Sequence, residues 1–153
     1  MARVDFAFGA PDRLRTACQA ARKRYLAGQR VVVYCSDPGR LKAFDNMLWA
    51  FDDTSFVPHV LASDALAAST PVVLTASPPD AARQAMGGET QDAPWLLNLD
   101  DRCPPMAESF ERVMEIVSDD PADREAARQR WRAYQEGGHA LQAHDLKRRP
   151  AAS

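Results

Sequence analysis

Arg30-Val31-Val32-Val33-Tyr34-Cys35 is the stretch that decides the fold. A strand with one wet face alternates apolar and polar residues. A run this continuous marks a strand of a parallel sheet, buried on both faces. Upstream, Ala10 to Ala27 reads as a helix, with Leu14, Ala17, Cys18, Ala21 and Tyr25 near the 3.6-residue period and Gly28 at its C-terminal stop. Downstream, Ser36-Asp37-Pro38 offers an N-cap and a first-turn proline to a helix carrying Leu41, Phe44, Met47, Leu48 and Trp49.

Further out, Arg3 to Phe8 predicts a first strand ended by Gly9, and Pro71–Thr75 and Pro94–Leu99 predict two more buried strands. Ser109 to Val117 reads as a strand. A closing helix then runs from the N-cap Asp120 through Pro121 to the stop at Gly137-Gly138. Residues 51–66 read as largely irregular. The breaker-rich SPPDAARQAMGGETQD (77–92) reads as a surface loop. Strands alternating with helices predict one α/β domain, a sandwich with a mostly parallel sheet over residues 1–146. The basic end, residues 147–153, reads as a disordered tail.

Composition fits that picture: 153 residues, 46% hydrophobic and 26% charged, suit a single globular domain. No apolar run approaches the roughly 18 residues of a membrane span. The N-terminus does not read as a secretion signal. Three widely spaced cysteines (Cys18, Cys35, Cys103) argue against a disulfide framework and suit a reducing cytoplasm, where the chain is expected. The net charge of −2 argues against a dedicated nucleic-acid binder, yet it is unevenly spread. Residues 121–153 hold seven Lys/Arg and four Asp/Glu, a balance of +3, so the first 120 residues carry −5. A basic end on an acidic body suggests a docking patch for an anionic partner.

Catalytic chemistry finds no supported candidate. The turn FGAPDRL has one glycine where a dinucleotide fold needs several, and no Gly-Lys-Ser/Thr follows any strand. His59, His139 and His144 form no metal-ligand spacing, and no cofactor is expected. Asp52-Asp53 and Asp100-Asp101 read as caps or turns, and Cys35 as a small core residue.

Two surfaces remain. Arg124, Arg128 and Arg132 lie four apart on the closing helix beside Trp131, so three guanidinium forks line one edge of an indole. Forks bind carboxylates bidentately, and the indole offers apolar area, a combination suited to an acidic peptide with a hydrophobic end. The alternative is a solvated amphipathic helix that packs Ala126, Ala127, Ala133 and Tyr134 inward and pairs Glu125 with Arg128 or Gln129. The second surface is Met47 to His59, where Leu48, Trp49, Phe51 and Phe56 crowd a helix end and loop as an interface would. Closure of the core by Trp49 and Phe56 is the alternative there.

At these places the chain resembles the chi subunit family of bacterial DNA polymerase III. The resemblance rests on LW-A-F-DD-TSFVPH (Leu48 to His59), AR-QR-WRAY (Ala127 to Tyr134) and RVVVYCSD after the first helix. It implies a Rossmann-like three-layer sandwich without a functional nucleotide site, in a non-catalytic adaptor of the clamp loader. It also implies two partners. One is the acidic C-terminal tail of single-stranded-DNA-binding protein, held by Arg128, Trp131, Arg132 and Arg124 with Val117 lining the pocket. The other is the psi subunit, or a repair helicase at the same surface, around Trp49, Phe56, Leu48 and Phe51. Contact with DNA is then indirect. Trp131 stands where a tyrosine is common, and the Lys147-Arg148-Arg149 tail extends past the resemblance. A degenerate nucleotide-binding enzyme is the rival reading.

Overall fold

The computed structural model describes residues 2–50, 57–87 and 93–148. Among them, β1 (Arg3–Ala10), β2 (Val31–Tyr34), β3 (His59–Leu61), β4 (Val72–Thr75), β5 (Trp95–Asn98), β6 (Arg112–Ser118) and β7 (Ala140–Asp145) form one sheet. Its order is β3-β4-β2-β5-β6-β1-β7, and every pairing is parallel. The helices are α1 (Arg13–Leu26), α2 (Pro38–Ala50), α3 (Pro79–Met86) and α4 (Pro121–Glu136). Two cores flank the sheet. Ala17, Cys18 and Ala21 of α1 and Phe44 and Leu48 of α2 fill one; Ala82 and Met86 of α3 and Ala127 and Tyr134 of α4 fill the other. The expected three-layer α/β sandwich is present.

β2 explains itself. Val31 and Val33 point into the first core and Val32 and Tyr34 into the second, so the strand is buried on both faces. It lies between β4 and β5. Each fully buried valine contributes about 1.5–3 kcal/mol of hydrophobic stabilisation. The α1 boundary differs from expectation: the helix starts at Arg13, capped by Asp12, whose carboxylate accepts from the Arg15 amide at 3.1 Å. The residues before it continue β1 through an irregularity between Phe8 and Ala10, where Gly9 adopts φ +85°. In α4, Asp120 caps and Pro121 opens the helix as its sequence predicts.

Four segments depart from the sequence reading. Residues 77–92 are not all loop, because Pro79–Met86 form α3. Its prolines mark a beginning rather than a break, since the first turn has no use for their missing N–H groups. Within the stretch read as irregular, His59–Leu61 pair with β4 as an edge strand; residues 51–56 lie outside the described residues. β7 was not anticipated at all. It is largely exposed and carries no apolar run, and it exists by pairing with β1. In the stretch read as tail, Lys147 and Arg148 belong to a 3₁₀ turn (Leu146–Arg148), and Lys147 Nζ lies 3.0 Å from Asp119. Residues 149–153 lie outside the described residues.

A buried polar network joins the layers. Glu115, fully buried in β6, accepts from Asn98 Nδ2 at 2.7 Å, Tyr134 OH at 2.7 Å and Arg130 Nε at 3.0 Å. Arg13 Nη2 approaches it at 3.9 Å. Burial, then the Glu115 charge, pushes the Tyr134 hydroxyl far above its ordinary range, so it remains a donor. Removing one partner of a buried charge pair strands the other. Arg130→Ala is therefore expected to lower stability by about 3–5 kcal/mol in urea denaturation; a loss below about 1 kcal/mol would show that the pair does not anchor α4.

Candidate functional site: a cationic groove along helix α4

The network sets the rotation of α4. Ala127, Arg130 and Tyr134 face the sheet, which leaves Arg124, Arg128, Trp131 and Arg132 along the margin beside β1. There they border a groove of about 560 Å³ at the carboxyl ends of β1, β6 and β7. Val117 is buried at the end of β6 and lines it too, so all five residues named for the first surface meet in one cavity. Ala127 and Tyr134 pack inward as the competing helix reading expects, but Ala133 is exposed and Arg130 is buried.

Aromatic packing shapes the groove. The Phe6 ring lies 5.1 Å from Trp131, tilted by 58°, and 5.9 Å from Tyr134 in an edge-on arrangement. Phe6 thereby holds the half-buried indole in place, while Phe8 is left 40% exposed beside it. Gly9 completes this end of β1. A side chain there would force an unfavourable positive φ and bring a Cβ within 3.3 Å of Lys147 Cγ. Sequence reading missed Phe6, Phe8 and Lys147 as groove residues. The alternation in β1 hinted at the two aromatics, whereas Lys147 belonged to a segment read as tail.

The charges are unevenly committed. Arg128 Nη1 lies 3.1 Å from Glu125 on the exposed helix surface, and Lys147 pairs with Asp119. Arg124 and Arg132 make no side-chain hydrogen bond or ion pair among the described residues. The groove therefore presents guanidinium groups beside an apolar wall, able to take a carboxylate and an apolar group together.

The neighbouring crevice differs in kind. Between the starts of α1 and α4, Arg13 donates to Asp100 O at 2.9 Å and approaches Asp101 at 3.8 Å and Asp123 at 3.7 Å. Asp123 also accepts from the Ser118 amide at 2.7 Å. A nucleotide phosphate in such a fold needs free N–H groups at this point. Here the chain's own carboxylates face it. The Asp100-Asp101 pair is structural: Asp100 accepts from the Ser36 amide, and Asp101 from Arg40 at 3.0 Å. That bond from Arg40, outweighing burial, holds the Asp101 carboxyl below the usual carboxylate range. Burial pushes the Cys103 thiol up to about 11, which leaves it a poor nucleophile at neutral pH. The described residues contain no cluster of three or more His, Cys, Asp or Glu suited to a metal, and no helix long and apolar enough to cross a membrane.

The second surface is only partly where the sequence put it. Trp49 is 56% exposed, and its ring lies 4.8 Å from that of His59. Asp45 Oδ1 and Val57 O hold His59 at 2.9 and 2.7 Å. Leu48, named for the same surface, is 2% exposed and packs in the core, because adjacent helix positions point about 100° apart. Phe51 and Phe56 lie outside the described residues.

An all-parallel α/β sandwich with a guanidinium-and-indole groove defines a class, an α/β chain with a cationic cleft. The family model described as DNA polymerase III chi subunit, HolC, matches residues 1–142. A DNA polymerase III subunit chi of Pseudomonas aeruginosa is 37% identical over 97% of this chain and 99% of its own. The Escherichia coli K12 subunit chi is 30% identical over 81% of this chain and 79% of its own. That of Haemophilus influenzae is 26% identical over 85% of each. The chain belongs to the DNA polymerase III chi subunit family, and is thus an accessory subunit in DNA replication.

The Glu125 pair competes for Arg128. Glu125→Gln is expected to change stability by less than about 0.5 kcal/mol, as exposed pairs do, while strengthening capture of an anionic peptide. Thermal denaturation beside peptide titration checks both, and weaker capture by the variant would count against the groove.

Proposed function

We propose that this chain is a non-catalytic adaptor that grips the acidic C-terminal tail of single-stranded-DNA-binding protein in the α4 groove. In this reading Arg128 takes the terminal carboxylate. Trp131, Phe6 and Val117 form the wall against the tail's terminal aromatic residue, and Arg124 and Arg132 attract its aspartates. The observation that carries the proposal is the convergence of Arg124, Arg128, Trp131, Arg132 and Val117 on one cavity. Family membership supports it by assigning the chain to the polymerase III assembly. Calorimetry with a synthetic acidic tail peptide provides the test. Arg128→Ala is expected to lose about 1.5–3 kcal/mol of binding, the range for hydrogen bonds to a charged group. Affinity is also expected to fall as salt screens the groove. Equal affinity for both proteins would discard the assignment.

A second contact is proposed around Trp49, for the psi subunit of the clamp loader or a repair helicase at the same surface. The large exposed indole favours it. Trp49→Ala and Phe56→Ala are expected to impair co-purification with psi while leaving tail-peptide affinity intact. Unchanged co-purification by both folded variants would remove this surface from the assembly.

A further inference from the structure

At the other end of the sheet, three arginines gather on the face that carries α1. Arg3 and Arg112 are register partners in β1 and β6. Their neighbours Val4 and Val113 point into the opposite core, so the two arginines share the α1 side. Trp95 opens β5, the next strand over. The guanidinium carbon of Arg112 lies 4.3 Å from the centre of the Trp95 ring, and that of Arg24, from the last turn of α1, lies 4.9 Å from it. Two cations thus share one indole.

The counter-charge is incomplete. Among the described residues, Asp5 is the one carboxylate these groups bond, to Arg112 at 3.1 Å and Arg3 at 3.5 Å. It also meets His144 Nε2 at 3.0 Å. Among the described residues, the side-chain hydrogen bond of Arg24 goes to a neutral amide, Gln29, at 2.9 Å. Three guanidinium groups against one bonded carboxylate, among the described residues, leave an excess of two positive charges. Burial, then the nearby Arg112 charge, lowers the Arg24 pKa, a mark of crowded like charges. Burial alone would raise the Asp5 carboxyl. The bonds from His144 and Arg112 and the Arg3 charge outweigh it and hold Asp5 below its ordinary range. His144 links this cluster to a trough of about 720 Å³ between α1 and β7, walled by Ala7, Ala20 and Leu146 and edged by Lys23.

We infer that this face is a contact site for the phosphate backbone of single-stranded nucleic acid. Guanidinium forks match phosphate oxygens, and cations interleaved with an aromatic are the usual equipment of single-strand contacts. Strands lie about 4.8 Å apart, so Arg3 and Arg112 present neighbouring forks to a passing backbone. Among the described residues, no Phe, Tyr or Trp lines the trough to wall a large terminal side chain, whereas Phe6, Phe8 and Trp131 line the α4 groove. The overall charge of −2 keeps the contact weak by itself. It takes effect when another attachment raises the local concentration of the strand. The inference does not depend on what the α4 groove binds.

Fluorescence anisotropy with a labelled oligothymidine at low salt tests it on the full chain. Wild type is expected to bind saturably and to weaken with salt. The Arg24→Gln/Arg112→Gln double variant should lose about fivefold or more in affinity, and the log–log salt slope should shrink by about 1.4, or about 0.7 for each lost phosphate contact. Arg128→Ala should bind like wild type. If the double variant melts early, Arg3→Glu/Lys23→Glu, which changes two exposed side chains, should show the same loss. The inference is overturned if wild type does not bind, or if every folded variant of this face binds like wild type. Tighter, Arg112-dependent binding of a polyglutamate peptide would also overturn it and assign the face to an acidic protein.

Discussion

A carboxylate with no exposure to water must find partners for both oxygens, and Glu115 recruits them from two elements. Asn98 comes from β5, while Arg130 and Tyr134 come from α4. An unpaired buried charge would be strongly destabilising, so α4 has only one acceptable rotation about its axis. With Arg130 and Tyr134 turned inward, helical geometry carries Arg124, Arg128 and Trp131 to the margin beside β1. The groove is therefore a consequence of an ion pair that never touches it.

The same sheet separates two kinds of chemistry. At the carboxyl ends of the strands, the crevice that often receives a nucleotide holds Arg13 among Asp101, Asp123 and Glu115. The accessible cationic chemistry lies to its side instead, where an indole and guanidinium groups line a groove between α4 and β7. At the amino ends, Arg24 and Arg112 meet on Trp95, and among the described residues Asp5 is the carboxylate bonded there. An acidic chain can thus present local positive fields, because charge acts over about a Debye length of 10 Å rather than as a total.

The sequence was legible where a local pattern matched its final environment. β2 is an unbroken apolar run because both its faces are covered, and the α4 caps read correctly because they depend on neighbours a few residues away. α3 was hidden by prolines that mark a helix start as readily as a loop. β7 left almost no trace, for an exposed edge strand needs only backbone groups to pair with β1. At the candidate site, the spacing of Arg124, Arg128 and Arg132 announced a cationic stripe. Nothing in Arg128-Gln129-Arg130-Trp131-Arg132 said that the middle arginine alone would be buried.

By itself the sequence determined a parallel α/β sandwich, the limits of its strongest helices, and the side chains that edge one helix. Those properties follow from periodicity and capping, which act within a few residues. Only the tertiary structure decided that Phe6 and Lys147 would join that edge, that Leu48 would be interior while Trp49 stayed in water, and that Arg24 and Arg112 would meet on Trp95. Each of these depends on strand order and register, which bring together residues far apart in the chain.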